Sequence, residues 1–182
     1  MHALGEFAFS GRGMKASGGE DQRWFQKGAD ANHGRSQYNL ARLLMVGAEG
    51  VTADQEKAEF LLRQAAEGGL PDAQYALGDR LERKLVGDGK GPSPDLTEPR
   101  KWYEKAAAEK HADALLAMAR YADSGIGGLS KSLEKGAEYT YQAAQAGNLV
   151  AMNEMGVRYQ KGMGLKMENV AAIGWFLAAA EM

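Results

Sequence analysis

The sequence of 182 residues contains no cysteine and only four prolines. Without a thiol, the chain cannot form a disulfide scaffold, a thiolate zinc site or a cysteine nucleophile. An excess of charge of either sign is also lacking, because 22 basic residues face 24 acidic ones. A near-neutral chain without a basic segment does not predict a nucleic-acid partner.

A long hydrophobic segment is missing as well. The longest apolar run, residues 170–180, is about half of the ~20 residues that a membrane-spanning helix needs, so we expect no membrane span. The first residues lack the continuous apolar stretch of a secretory signal. A signal already removed would leave the same sequence, so the compartment, cytoplasm or periplasm, stays undetermined.

Small residues are abundant, and they recur with a period. The windows 24–41, 61–78, 102–119 and 139–156 superimpose without a gap, and residues 1–23 continue the same phase. Periods of this length indicate helical repeats. The sequence therefore predicts one domain of five units, at about 1–32, 33–69, 70–110, 111–147 and 148–182. A large residue marks the anchor position of each unit, at Trp24, Leu61, Trp102, Tyr139 and Trp175.

Each unit is expected to form two helices joined by a glycine-rich turn, with small pairs such as Ala65-Ala66 where the helices touch. Residues 86–98 are expected to form an insertion in the third turn. His33 and His111 occupy one repeat position, the turn between units, where a capping role is expected. Good N-cap residues or Glu stand seven positions before each anchor. These predicted helix starts are Ser17, Asp54, Asp95, Ser132 and Glu168.

The segments DAQYALG (72–78), EGVTADQEKAEFLLRQAAEGG (49–69) and MGVRYQKGMGLKMENVAAIGWFLAAA (155–180) resemble the Sel-one-like repeat (SLR) family, a branch of the tetratricopeptide-like repeats. This resemblance implies an all-α fold, a right-handed superhelix (solenoid) of about five helix pairs. It also implies a non-enzymatic protein, since the family works mostly as bacterial adaptors and binding proteins.

No catalytic residues, metal ligands or cofactor are expected from the motifs. The segment GIGGLSKS (125–132) comes close to a phosphate-binding loop, but it follows a predicted helix and not a strand. The loop DGKGPSPDLTE (88–98) has prolines where calcium would need oxygen ligands. No spacing supports a serine–histidine–acid set.

A partner-binding surface is predicted from what the repeat pattern leaves over. In tetratricopeptide-like arrays the first helix of each pair lines the concave face. Positions two, six and nine beyond the leading small residue share the side of that helix away from the core. Tyr and Arg among them are typical of binding hot spots, and an ordinary solvated face is the alternative. The predicted binding residues are Tyr38, Arg42, Met45, Tyr75, Asp79, Glu82, Leu116, Arg120, Asp123 and Asn153, with His2, Glu6 and Phe9 in the first unit.

Three functions follow from this surface. The leading hypothesis is a scaffold or adaptor that binds another protein or a peptide along the concave face. The alternatives are an envelope or immunity-type inhibitor of a secreted effector, and a ligand- or cell-wall-binding regulator or enzyme.

Val170, Ile173 and Phe176 have no following unit to cover them. Either the natural chain continues, or this helix packs on a neighbour and forms an oligomer.

Overall fold

The structure is a computed structural model, and it describes residues 18–87 and 94–182. The predicted helix start at Ser17, the binding positions His2, Glu6 and Phe9, and residues 88–93 of the predicted insertion lie outside these residues. The chain divides into two compact units, Met1–Leu77 and Gly78–Met182. The single-domain organisation therefore stays a prediction, and each unit is described by itself.

The described residues form nine α-helices and contain no strand beyond an isolated bridge between Ala48 and Val51. The helices are α1 Gly18–Asp30, α2 Gly34–Val46, α3 Gln55–Glu67, α4 Pro71–Val86, α5 Thr97–Ala108, α6 Ala112–Ser124, α7 Leu133–Gln145, α8 Leu149–Lys161 and α9 Asn169–Ala180.

In the first unit, α2 packs against both α1 and α3. Phe25, Leu40 and Leu62 fill the space between these helices and are almost completely buried. Full burial of such a side chain contributes about 1.5–3 kcal/mol. The small residues permit the close approach, because a Cβ added to Gly28 would overlap the Ser36 side chain.

In the second unit, each helix from α5 to α8 packs on the next one along the chain. Tyr103, Leu115, Met118, Tyr121 and Met155 form the centre of this core. The rings of Tyr103 and Tyr121 meet edge to face with centroids 5.7 Å apart, an arrangement that aromatic pairs favour.

The predicted turns contain the glycines that end helices. Gly125 and Gly162 follow α6 and α8 with φ of 68°, and their N–H groups donate to the carbonyls of Tyr121 and Arg158. A residue with a side chain is strained in this left-handed region, so the repeat requires glycine there. The first glycine of the 125–132 segment, Gly125, is thus explained by helix termination.

The predicted helix starts are confirmed at Asp54, Ser132 and Glu168 and corrected at Asp95. Asp54 and Ser132 cap α3 and α7 by accepting from the N–H groups three residues later. Asp95 is not the N-cap of α5, because the helix begins at Thr97 after Leu96. Its carboxylate instead accepts from the N–H of Thr97 in a tight turn. Glu168 precedes α9 without a side-chain cap.

The capping role of the two repeat histidines is confirmed. His33 caps α2 through Nδ1, which accepts from the N–H of Ser36. His111 caps α6 in the same way, with an N–N distance of 3.3 Å to Ala114. Asn148 performs this function at α8 with a shorter bond of 2.9 Å to Ala151.

This equivalence predicts the effect of two substitutions at one position. His111→Ala is expected to lower the free energy of unfolding by about 1 kcal/mol, the usual cost of an N-cap loss. His111→Asn is expected to retain the wild-type value, because asparagine caps the equivalent helix at 148. Urea unfolding followed by circular dichroism measures both. Equal losses in the two variants would show that capping is not the contribution of His111.

The anchor residues are less buried than the repeat pattern predicts. Leu61 and Trp102 are buried, but Trp24, Tyr139 and Trp175 keep part of their surface exposed. Burial is greatest one residue later, at Phe25, Leu62, Tyr103 and Thr140. The aromatic anchors therefore cover the edge of the core, and the following residue fills its centre.

Candidate functional site

The ten predicted binding residues that the structure describes all lie on α2, α4, α6 and α8, the first helices of their pairs. They differ in exposure. Arg42, Arg120 and Asn153 are exposed, whereas Glu82 is buried. The others are half-buried: Tyr38, Met45, Tyr75, Asp79, Leu116 and Asp123.

In the first unit, Tyr38 lies within a group of charged side chains. The guanidinium of Arg42 lies over the Tyr38 ring, 5.8 Å from its centroid, and Arg35 forms an ion pair with Asp72. Burial, together with the negative charge of Asp72, raises the pKa of Tyr38, although Arg42 and Arg35 oppose the shift. The hydroxyl is therefore a neutral hydrogen-bonding group between fixed charges.

In the second unit, Glu82 is the centre of a hydrogen-bonded network. Its carboxylate accepts two bonds from Arg120, at 2.7 and 2.8 Å, and a third from the Tyr103 hydroxyl at 2.9 Å. The Glu82 side chain is 12% exposed, whereas that of Arg120 is 51% exposed. The network therefore joins a buried carboxylate to a guanidinium that still reaches the surface.

The network also changes the acidity of its members. Burial opposes ionisation of Glu82, but the hydrogen bonds and positive charge of Arg120 outweigh it, so the pKa of Glu82 is lowered. Burial and the negative charge of Glu82 raise the pKa of Tyr103 and of Tyr121. At neutral pH the site thus holds one carboxylate, one guanidinium and two neutral phenols.

This lowered pKa predicts how stability depends on pH. A carboxylate whose pKa is lower in the folded chain stabilises the fold above its ordinary value of 4.5. That contribution disappears as the pH falls through the lower folded value. The difference in unfolding free energy between wild type and Glu82→Gln is expected to be constant from about pH 7 to pH 5 and to shrink below pH 4.5. Urea titrations at fixed pH test this, and a difference that grows toward acid would contradict it.

A surface pocket of about 270 Å³ lies beside this network. It contains three of the predicted binding residues, Asp79, Glu82 and Arg120, and Arg83, Val86 and Gly87 complete its lining. The Arg83 Nε donates to the Asp79 carboxylate at 2.9 Å. The pocket therefore holds two carboxylates, each paired with a guanidinium, next to one aliphatic side chain.

Asp123 belongs to a second ion-pair cluster, which sequence reasoning missed. Arg158 on α8 is 1% exposed, and its guanidinium donates to both Asp123 and Glu154. Glu154 also accepts from the Thr140 hydroxyl at 3.2 Å. The spacing of Glu154 and Arg158, four residues on one helix, is the signal that could have revealed this pair.

Two further predicted residues, Leu116 and Asn153, belong neither to the Glu82 network nor to the Arg158 cluster. Leu116 is half-buried on α6, and the Asn153 side chain donates to the Leu149 carbonyl at 3.3 Å. No group of three or more His, Asp or Glu side chains that could hold a metal ion occurs among residues 18–87 and 94–182. Within the same residues, no helix has the length and apolar character of a membrane span.

Fold and site together define a helical-repeat protein built from similar helix pairs. A family model of the Sel1 repeat matches the chain five times, at residues 1–33, 34–70, 71–111, 112–148 and 149–182. The chain belongs to the Sel1 repeat family. Proteins of this family generally mediate protein–protein interaction and are typically non-enzymatic scaffolds.

Relatives and solved structures agree with this assignment. The chain is 30% identical over 152 residues to chitin synthase regulatory factor 3 of Schizosaccharomyces pombe, a match that covers 81% of this chain and 16% of that protein. A Sel1 repeat protein from Oxalobacter formigenes superimposes with a TM-score of 0.84 and 29% identity, over 99% of this chain and 71% of that one. A protective antigen of uropathogenic Escherichia coli strains, which displays an SLR fold, superimposes with a TM-score of 0.83 and 28% identity, over 98% of this chain and 37% of that one.

These comparisons confirm two predictions from the sequence. The family resemblance is correct, and the all-α class, with about five helix pairs of the SLR solenoid type, is confirmed. The boundaries of the matched units fall within one residue of those predicted from the repeat phase. The chain spans only about a sixth of the curated relative.

Proposed function

We propose that the chain is a non-enzymatic scaffold that binds a partner protein or peptide through exposed side chains on the first helices of its units. The observation that carries this proposal is Arg120. Its side chain is 51% exposed, yet buried Glu82 fixes the guanidinium with two hydrogen bonds, and Tyr103 fixes Glu82 in turn.

A guanidinium held in this way favours recognition for an entropic reason. An arginine that is free in solution loses rotamer freedom on binding, at about 0.5–1.5 kcal/mol for each immobilised side chain. Arg120 has already lost most of that freedom in the folded chain. Arginine is also among the residues most frequent at binding hot spots.

The first unit offers a second surface with the same properties. Tyr38 and Tyr75 are half-buried, so each ring is partly fixed and partly accessible. Arg42 lies over the Tyr38 ring. Aromatic and arginine side chains in such partly fixed positions supply contact area at a low entropic cost.

Affinity capture from native lysate, followed by mass spectrometry, tests the proposal with one variant for each unit. Tyr38→Ala with Tyr75→Ala removes the two rings of the first unit. Glu82→Gln with Arg120→Gln removes the ion pair of the second unit without leaving a buried charge unpaired. Lys101→Gln, an exposed change on α5, is the control. Circular dichroism melts establish that each variant remains folded.

At least one of the two double variants is expected to lose a partner that wild type and the control retain, with recovery reduced about ten-fold or more. If both folded variants capture the same proteins as wild type, the proposed surface is wrong.

The identity of the captured partner also separates the two alternative functions, the immunity-type inhibitor and the ligand- or cell-wall-binding protein. A secreted effector whose toxicity the chain neutralises on co-expression would support the immunity-type inhibitor. Retention on cell-wall polysaccharide in the absence of other proteins would support the ligand-binding alternative.

A further inference from the structure

The pocket beside Arg120 is electrically balanced. Asp79 and Glu82 carry one negative charge each, and their partners Arg83 and Arg120 carry one positive charge each. A strongly acidic or basic ligand would be attracted by one member of each pair and repelled by the other, so net charge gives it little advantage. Recognition in this pocket therefore depends on shape and on the faces of the side chains.

The size of the pocket limits its occupant. Its volume of about 270 Å³ lies just below the range of roughly 300–1,000 Å³ that is typical of small-molecule sites. The space is sufficient for a single large side chain. Val86, which is 42% exposed, supplies an apolar contact at the wall.

Arg120 presents one particular surface to this space. One edge of its guanidinium donates to Glu82, and its central carbon lies 5.1 Å from the centroid of the Tyr121 ring. Tyr121 is completely buried, whereas the Arg120 side chain is 51% exposed and lines the pocket. A planar guanidinium is weakly hydrated and stacks well on aromatic rings.

We infer that the pocket receives one aromatic side chain of a partner protein, which stacks on the exposed face of Arg120. The ring and Tyr121 would then contact the guanidinium from opposite sides, while Val86 contacts the edge of the ring. The inference rests on the proposed scaffold function, and it names the chemistry that this site recognises.

Side-chain NMR of the uniformly ¹⁵N-labelled chain tests the inference with a defined probe, N-acetyl-tryptophanamide. The Nε–Hε signal of Arg120 is assigned by its loss in the Arg120→Lys variant. Titration with the probe is expected to shift this signal upfield in a saturable manner, because the proton lies above a ring. N-acetyl-leucinamide and N-acetyl-aspartamide serve as apolar and acidic controls. Their apparent affinities are expected to be lower than that of the tryptophan probe by a factor of about five or more.

Variants separate stacking from general binding. Arg120→Lys keeps the charge and loses the planar face, and its binding is followed by the backbone amide signals of the pocket residues Val86 and Gly87. The tryptophan probe is expected to bind this variant about as weakly as the leucine probe binds wild type. Glu82→Gln, which releases the guanidinium from its fixed edge, is expected to weaken the tryptophan probe by a smaller factor. Lys101→Gln is expected to leave the titration unchanged.

Equal shifts of Arg120 with the leucine and tryptophan probes would overturn the inference, as would the absence of any shift. If capture of the partner still depends on the Glu82–Arg120 pair in that case, the scaffold function stands and only the aromatic specificity fails. If the probe binds as expected while capture is unaffected by the double variants, the pocket chemistry stands and the proposed scaffold surface fails.

Discussion

Arg158→Ala is expected to lower the free energy of unfolding of the second unit by about 3–5 kcal/mol. The side chain is 1% exposed and donates to two carboxylates, at 2.6 Å to Glu154 and at 3.2 Å or less to Asp123. Removal of the cation leaves two negative charges, 21% and 35% exposed, facing each other without compensation. Breaking a buried pair costs far more than breaking one in water.

Urea unfolding at neutral pH measures this loss, and a triple variant serves as its control. Arg158→Met combined with Asp123→Asn and Glu154→Gln removes all three charges at similar volume. It is expected to recover most of the stability, because no charge is left unpaired. A loss below about 1 kcal/mol in Arg158→Ala would mean that the cluster behaves as an exposed ion pair.

Gly164→Ala is expected to lower the free energy of unfolding by about 2–4 kcal/mol, the second largest loss among the substitutions proposed for this chain. Gly164 has φ of 77°, a conformation that alanine adopts only with strain. Its added Cβ would also overlap the carbonyl oxygen of Leu133, the first residue of α7. That atom belongs to the backbone, so it cannot rotate away, and the turn or the helix start must shift.

The same substitution elsewhere in the unit provides the control. Gly174 lies within α9, and nothing stands within 4 Å of the position that its Cβ would take. Gly174→Ala is expected to raise stability by about 0.5–1 kcal/mol, because alanine favours the helix interior. Thermal melts of both variants should therefore move in opposite directions. A rise of the melting temperature in both variants would show that Gly164 tolerates a side chain.

The repeat could be predicted from the sequence because it depends on spacing along the chain. Helix starts at Asp54 and Ser132 and helix ends at Gly125 and Gly162 follow from local backbone chemistry. Asp95 shows the limit of that reasoning. Its carboxylate binds the N–H of Thr97, so the turn continues and the helix begins one residue later than the repeat predicts.

The ion pairs between helices could not be predicted, because they depend on which side chains of successive helix pairs face each other. Arg120 and Glu82 were each predicted as binding residues, but their ion pair joins positions 38 residues apart, and the sequence pattern did not indicate it. Arg158 occupies the seventh position beyond the leading alanine, which the sequence pattern did not select. Rotation of a helix by a fraction of a turn decides between neighbouring positions, and spacing alone does not fix that rotation.

Glu82 and Asp123 occupy the same position of consecutive repeats, yet they bind different positions of the repeat that follows. Glu82 takes the arginine at position six, and Asp123 takes the arginine at position seven. A shuffled chain in which residues 148–182 directly followed residues 70–110 would place Val157, not an arginine, at position six after Glu82. Each of these two ion pairs therefore depends on which repeat follows which along the chain. Exchange of repeats during evolution would break the pairs unless the charged residues were exchanged with them.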